Sequence, residues 1–112
     1  MPNKIKILSD KEIEIKLKTL PGWVRKDNKI TKEFELENFL NVVHFINDLA
    51  PFFEENDHHP DMHISYKKIQ FELTRYDIGG KITDKDFLIA TEIEQQYKRM
   101  HGLTKDNHAS RE

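Results

Sequence analysis

Two runs of alternating hydrophobicity, each folded back on itself, separate three runs of helical period, and together they predict an α+β domain. The expected architecture is a two-layer sandwich, a four-stranded antiparallel sheet with three helices on one face, in the order α-ββ-α-ββ-α. Punctuation supports the division, since Pro21-Gly22, Pro60 and Gly79-Gly80 fall between the periodic runs.

Ser9-Asp10-Lys11-Glu12 has the Ser-x-x-Glu form of a capping box, and Ile13, Leu17 and Leu20 follow at helical spacing. A first helix is expected from Asp10 to Thr19, ended by Pro21-Gly22. Trp23 to Arg25 reads as a short strand, Lys26-Asp27-Asn28-Lys29 as its turn and Ile30 to Leu36 as the return strand. Ile30, Phe34 and Leu36 share its core face, and Thr31, Glu33 and Glu35 a wet one.

Asn38 caps a second helix whose apolar positions Phe39, Val42, Val43, Ile46, Leu49, Ala50 and Phe53 keep the 3.6-residue period. Phe45 and Phe52 widen that stripe beyond what one sheet usually covers, which predicts a subunit contact through them. Pro51 lacks a backbone donor and is expected to kink the helix. After Pro60, Met62, Ile64 and Tyr66 alternate with His63 and Ser65. Lys67-Lys68 makes the expected turn, and Ile69, Phe71 and Leu73 alternate with Gln70, Glu72 and Thr74 in a strand reaching Tyr76. Thr83-Asp84-Lys85-Asp86 opens the last helix, with Ile89, Ala90, Ile93, Tyr97 and Met100 inward. Asp86 shares their side, which is odd for a solvated helix-start charge. Residues 101–112 read as a frayed polar tail, leaving one domain over residues 1–100.

A hydrophobic share of 37% with 10% aromatics is enough for a core, so the chain should fold, and its small size favours self-association. Net charge is −2, and no Lys or Arg lies between Lys32 and Lys67, where eight carboxylates fall. Direct nucleic-acid binding is therefore not expected. The absence of cysteine excludes disulfides, thiolate chemistry and Cys-based zinc sites. With no apolar run long enough for a signal or membrane span, the expected location is the cytoplasm.

Chemistry concentrates in Glu54-Glu55-Asn56-Asp57-His58-His59-Pro60-Asp61, where two adjacent imidazoles sit among carboxylates at a helix-to-hairpin junction. Carboxylates favour the protonated imidazole and burial opposes it, so His58 and His59 are suited to trading protons with a substrate. A solvated helix cap is the plainer alternative. A His58, His59 and His63 metal site is disfavoured because Pro60 and the alternation after it put His63 on a strand.

The spacing of Glu54-x-x-x-His58-His59-Pro60, then Tyr66, Tyr76 and Asp86, resembles the signature of the pterin-4a-carbinolamine dehydratases. Pro21-Gly22-Trp23, the Ile30 to Phe34 strand, the Phe39 to Phe53 helix and Gly79-Gly80 extend the resemblance over roughly Ser9 to Met100. It implies the same fold, homodimers or homotetramers, and a hydro-lyase of tetrahydrobiopterin regeneration. The pterin substrate, 4a-hydroxytetrahydropterin, would become quinonoid dihydropterin plus water, with no cofactor and no metal. It further implies His58, His59, Tyr76 and Glu54 as catalytic. His58, His59, Pro60, Arg75, Tyr76, Asp77 and Asp57 would bind substrate, with Asp86 behind them. Tyr76 stands where the family usually has His, and Met62 where it often has Trp. Because animal members also serve as dimerisation cofactors of a transcription factor, a non-catalytic adaptor is the alternative.

Overall fold

The computed structural model describes residues 5–110, with side chains described to residue 100. In chain order the elements are α1 (Asp10–Leu17), β1 (Val24–Lys26), β2 (Lys29–Glu35), α2 (Phe39–Glu55), β3 (Asp61–Ser65), β4 (Lys68–Leu73), a single 3-10 turn (Tyr76–Ile78) and α3 (Asp84–Ser110). The four strands form one antiparallel sheet in the order β1-β2-β4-β3. This is the expected α+β fold.

Both halves of the α1 capping box form: the Ser9 hydroxyl accepts from the Glu12 N–H at 3.2 Å, and Glu12 accepts from the Ser9 N–H at 2.9 Å. The Asn38 side chain caps α2 at 2.8 Å, and the helix runs through Pro51 without interruption. Ile30 and Phe34 on β2 and Ile69, Phe71 and Leu73 on β4 line the helix side of the sheet, each at most 2% exposed.

Phe45 corrects one expectation. It is fully buried, with its ring 5.8 Å from those of Phe34 and Phe71 in edge-on packing, so it belongs to the core and offers no subunit contact. Phe52 is half-buried against the same core. Apolar side chains left open elsewhere include Phe39 and Leu40 at the start of α2, and Met62 and Ile64 on the edge strand β3. Met62 and Ile64 lie opposite Phe71 and Ile69, on the helix side of the sheet but at its uncovered margin.

Boundaries in the second half of the chain also move. The β3–β4 turn is Tyr66-Lys67, one residue earlier than expected, with Tyr66 at φ 56°. Strand β4 ends at Leu73, short of Tyr76. Helix α3 continues past Met100 to Ser110, into the segment expected to fray, while residues 111 and 112 lie outside the described residues. Nothing in the sequence pattern announces a further contact. The backbone of Lys6 to Leu8 pairs with Ile82 to Asp84, through Leu8 N–H to Ile82 O at 3.1 Å and Asp84 N–H to Lys6 O at 3.0 Å.

Candidate active site

The end of α2 places the histidines. Asn56 is the C-cap, Asp57 follows in the left-handed region at φ 49°, the Asp57 N–H donates to Glu54 O, and the His58 N–H reaches back to Phe53 O at 3.1 Å. These two bonds are the Schellman pattern, in which a left-handed residue reverses the chain directly after a helix. His58 is turned inward by that reversal and is 4% exposed, while its neighbour His59 remains at the surface. Pro60 is buried and leads into β3.

Helix α3 supplies the partner. Asp86, fully buried, accepts the Thr83 N–H on Oδ2 at 2.8 Å and pairs through Oδ1 with His58 Nε2 in a very short contact. Thr83-x-x-Asp86 is thus the reciprocal half of a capping box, and its carboxylate has a second oxygen left for the imidazole. The Thr83 Oγ1 is itself buried with no hydrogen-bond partner among the described residues. On the other side of the ring, Arg75 Nη1 lies 3.4 Å from His58 Nδ1 and donates to Asp57 O at 3.2 Å. A guanidinium can only donate, so Nδ1 accepts there and Nε2 carries the proton given to Asp86. Both nitrogens of His58 are committed.

His59 differs. Its Nε2 lies 2.9 Å from Glu54 Oε2, and its side chain is 53% exposed, so the carboxylate takes Nε2–H and leaves Nδ1 open. Two adjacent imidazoles therefore each hold their own carboxylate, one in the interior and one at the surface.

The remaining expected residues sort as follows. Arg75 and Lys81 close a loop on each other, Arg75 N–H to Lys81 O at 2.9 Å, and Gly79 at φ 83° permits the reversal inside it. That loop carries Asp77, whose carboxylate takes the Arg75 Nε–H at 2.8 Å, and Tyr76, whose hydroxyl donates to Asp61 Oδ2 at 2.6 Å. The bond to Asp61 holds the phenol pKa above its ordinary 10.0. Tyr76 thus lies toward the polar side of the sheet, as alternation predicts, although it sits in a 3-10 turn and not in β4. Asp57 enters through its backbone, its carbonyl meeting Arg75. His63 is on β3 beside Gln70, 3.8 Å from Glu72, away from the His58 cluster in the hydrogen-bond pattern. No group of three or more His, Asp or Glu side chains suited to a metal ion comes together among the described residues.

Asp61 and Thr83 are the contributors sequence reasoning missed. The Thr-x-x-Asp spacing is the signal that points to Thr83, and the position of Asp61 directly after Pro60 is the only one for Asp61.

Fold and site together define the class: a two-layer α+β domain bearing a buried His–Asp pair beside a surface His–Glu pair. Residues 6–96 match the family profile described as pterin 4 alpha carbinolamine dehydratase. The chain belongs to that family. A relative from Picosynechococcus, named provisionally as a pterin-4-alpha-carbinolamine dehydratase, is 43% identical over 88 residues, 79% of this chain and 95% of the relative. One from Aquifex aeolicus under the same provisional name is 33% identical over 96 residues, covering 86% and 96%. A Brucella melitensis crystal structure described as a transcriptional coactivator/pterin dehydratase superposes with a TM-score of 0.77 at 25% identity, covering 81% of this chain and 98% of that one. No helix among the described residues is long and apolar enough to cross a membrane.

Proposed function

We propose that the protein dehydrates 4a-hydroxytetrahydropterin to quinonoid dihydropterin in tetrahydrobiopterin regeneration in the cytoplasm, with residues 1–100 as the functional unit. In that reaction the C4a–O bond breaks, the oxygen takes a proton and leaves as water, and an adjoining ring nitrogen gives up a proton as the double bond forms. One proton enters and one departs, no electrons are exchanged, and the balance calls for no redox cofactor or metal.

The observation that carries the reading is the unequal pair of imidazoles. His59, exposed and with Nδ1 open, is the group able to exchange a proton with substrate, and Glu54 holds its ring through Nε2. His58 keeps both nitrogens on protein partners, so it sets the shape and polarity of the site, with Asp86 and Arg75 fixing its tautomer. Pro60, Asp57, Asp77 and Tyr76 border the same junction and are assigned to substrate binding. A phenol with its pKa above 10 is a poor base near neutrality, so Tyr76 offers a ring face and a hydroxyl, not proton transfer.

Self-association as a homodimer or homotetramer fits the apolar surface left by Phe39, Leu40, Met62 and Ile64. The reading includes no direct nucleic-acid contact. A purely adaptor role gives no use for a buried His–Asp pair next to an open His–Glu pair. The decisive experiment mixes purified protein with chemically generated 4a-hydroxytetrahydropterin and follows absorbance for accelerated formation of the quinonoid product, before and after dialysis against a strong chelator. Equal acceleration in both is expected. No acceleration over buffer would overturn the dehydratase reading, and loss on chelation restored by zinc would overturn the metal-free mechanism.

A further inference from the structure

The loop from Arg75 to Lys81 touches the 57–61 segment at two places, and only one of them involves the histidines. Arg75 reaches Asp57 O and His58 Nδ1 before Pro60, whereas Tyr76 reaches Asp61 after it. The Tyr76 ring is 61% exposed and packs into no core, so its direction is set by the hydroxyl bond and not by its surroundings. Asp61 is well suited to hold it. As the first residue of β3 it is fixed in register opposite Glu72 on β4, and it is only partly exposed.

We propose that Asp61 is a positioning residue of this site, whose carboxylate anchors the Tyr76 hydroxyl and holds the ring upright beside the His58-His59-Pro60 segment as a flat wall for substrate. The assignment of a substrate to that wall rests on the dehydratase reading, whereas the anchoring itself does not. Without the bond, a surface tyrosine on a 3-10 turn samples several rotamers, and a planar substrate must pay for ordering it. The groups facing the phenol are Asp61, Glu72 and Lys29, with Lys29 held by Glu72 at 3.2 Å. Asp61 is the one bonded to the hydroxyl, and that hydrogen bond is the main cause that keeps the phenol protonated to higher pH.

Asp61→Ala and Tyr76→Phe test this with two readouts. Ultraviolet titration of phenolate, with Tyr76→Phe subtracted to isolate one of the three tyrosines, should show the Tyr76 transition falling toward 10.0 in Asp61→Ala. In the absorbance assay each single variant should raise KM by about 3- to 10-fold with kcat within about 2-fold, as expected for loss of one ordering hydrogen bond. The double variant should be no worse than either single one. An unmoved phenol transition in Asp61→Ala, or KM effects that multiply in the double variant, would overturn the proposal. A wild-type protein without turnover would defeat the dehydratase reading and with it the substrate wall, leaving the phenol titration to report on the anchor alone.

Discussion

Replacing Asp86 by alanine removes two hydrogen bonds at a fully buried point, and its cost follows from what is stranded. The Thr83 N–H loses its acceptor at 2.8 Å, and His58 Nε2–H loses the carboxylate it pairs with, in a site too dry for water to substitute freely. Each buried donor left unsatisfied costs about 1–3 kcal/mol, and two are stranded here. Asp86→Ala should therefore destabilise by about 2–6 kcal/mol, a large part of the roughly 5–15 kcal/mol available to such a domain. At about 4–8 °C per kcal/mol, Tm falls by at least about 8 °C. Trp23, the only tryptophan and 4% exposed, reports unfolding in urea by fluorescence. Asp84→Ala is the control, since the Asp84 carboxylate is exposed and, among the described residues, accepts only the Lys6 N–H at 3.1 Å. Asp86→Asn should fall between the two. An amide still offers one acceptor but turns N–H toward a donor, and inverting the His58 tautomer to relieve this sets Nδ1–H against Arg75. If Asp86→Ala costs no more than Asp84→Ala, the buried pair does not hold the site together.

Three other outcomes are expected. His59→Ala should lower turnover by about 10² to 10⁴ fold, while His63→Ala changes it little, as read in the pterin absorbance assay. Asp57→Gly should raise Tm, because glycine takes φ 49° at no steric cost, a gain of about 0.5–1 kcal/mol. The Ser9 N–H and Lys6 hold the Glu12 carboxyl down at about 2 from its ordinary 4.5. A depressed carboxylate stabilises the fold fully above its unfolded pKa and loses that contribution as pH falls through the folded one. Glu12→Gln should therefore narrow the Tm difference between pH 6 and pH 2.

Element type was readable wherever a local signal and a period agreed. Ser9 with Glu12, Asn38 with its apolar stripe, and the alternation from Ile69 to Leu73 each state one answer twice. What stayed hidden depends on contacts between distant segments. Phe45 looked surplus to one sheet because the inward packing of α3 against α2, which encloses it, has no counterpart in a single helix's pattern. Tyr66 occupies a left-handed turn position that its side chain does not advertise, and the two lysines after it looked more turn-like. His58, His59 and Glu54 were legible as a group from their density in the sequence. Their unequal burial was not, because it is decided by a backbone reversal at Asp57 and by a carboxylate from 28 residues downstream.

The pairing of Lys6 to Leu8 with Ile82 to Asp84 also bears on the order in which the molecule is assembled. Lys6 and Asp84 are 78 positions apart, and closing so long a loop costs about 4 kcal/mol beyond a constant term. The strap flanks Thr83, whose N–H steadies the same carboxylate that receives His58. A growing chain that has reached Leu73 already contains both hairpins and both histidines, yet it lacks the acceptor that His58 is turned toward. The imidazole gains its Asp86 partner only when the start of α3 is in place beside the end of α2. A partly made molecule can thus contain every strand of the sheet in its sequence while its chemistry remains unassembled.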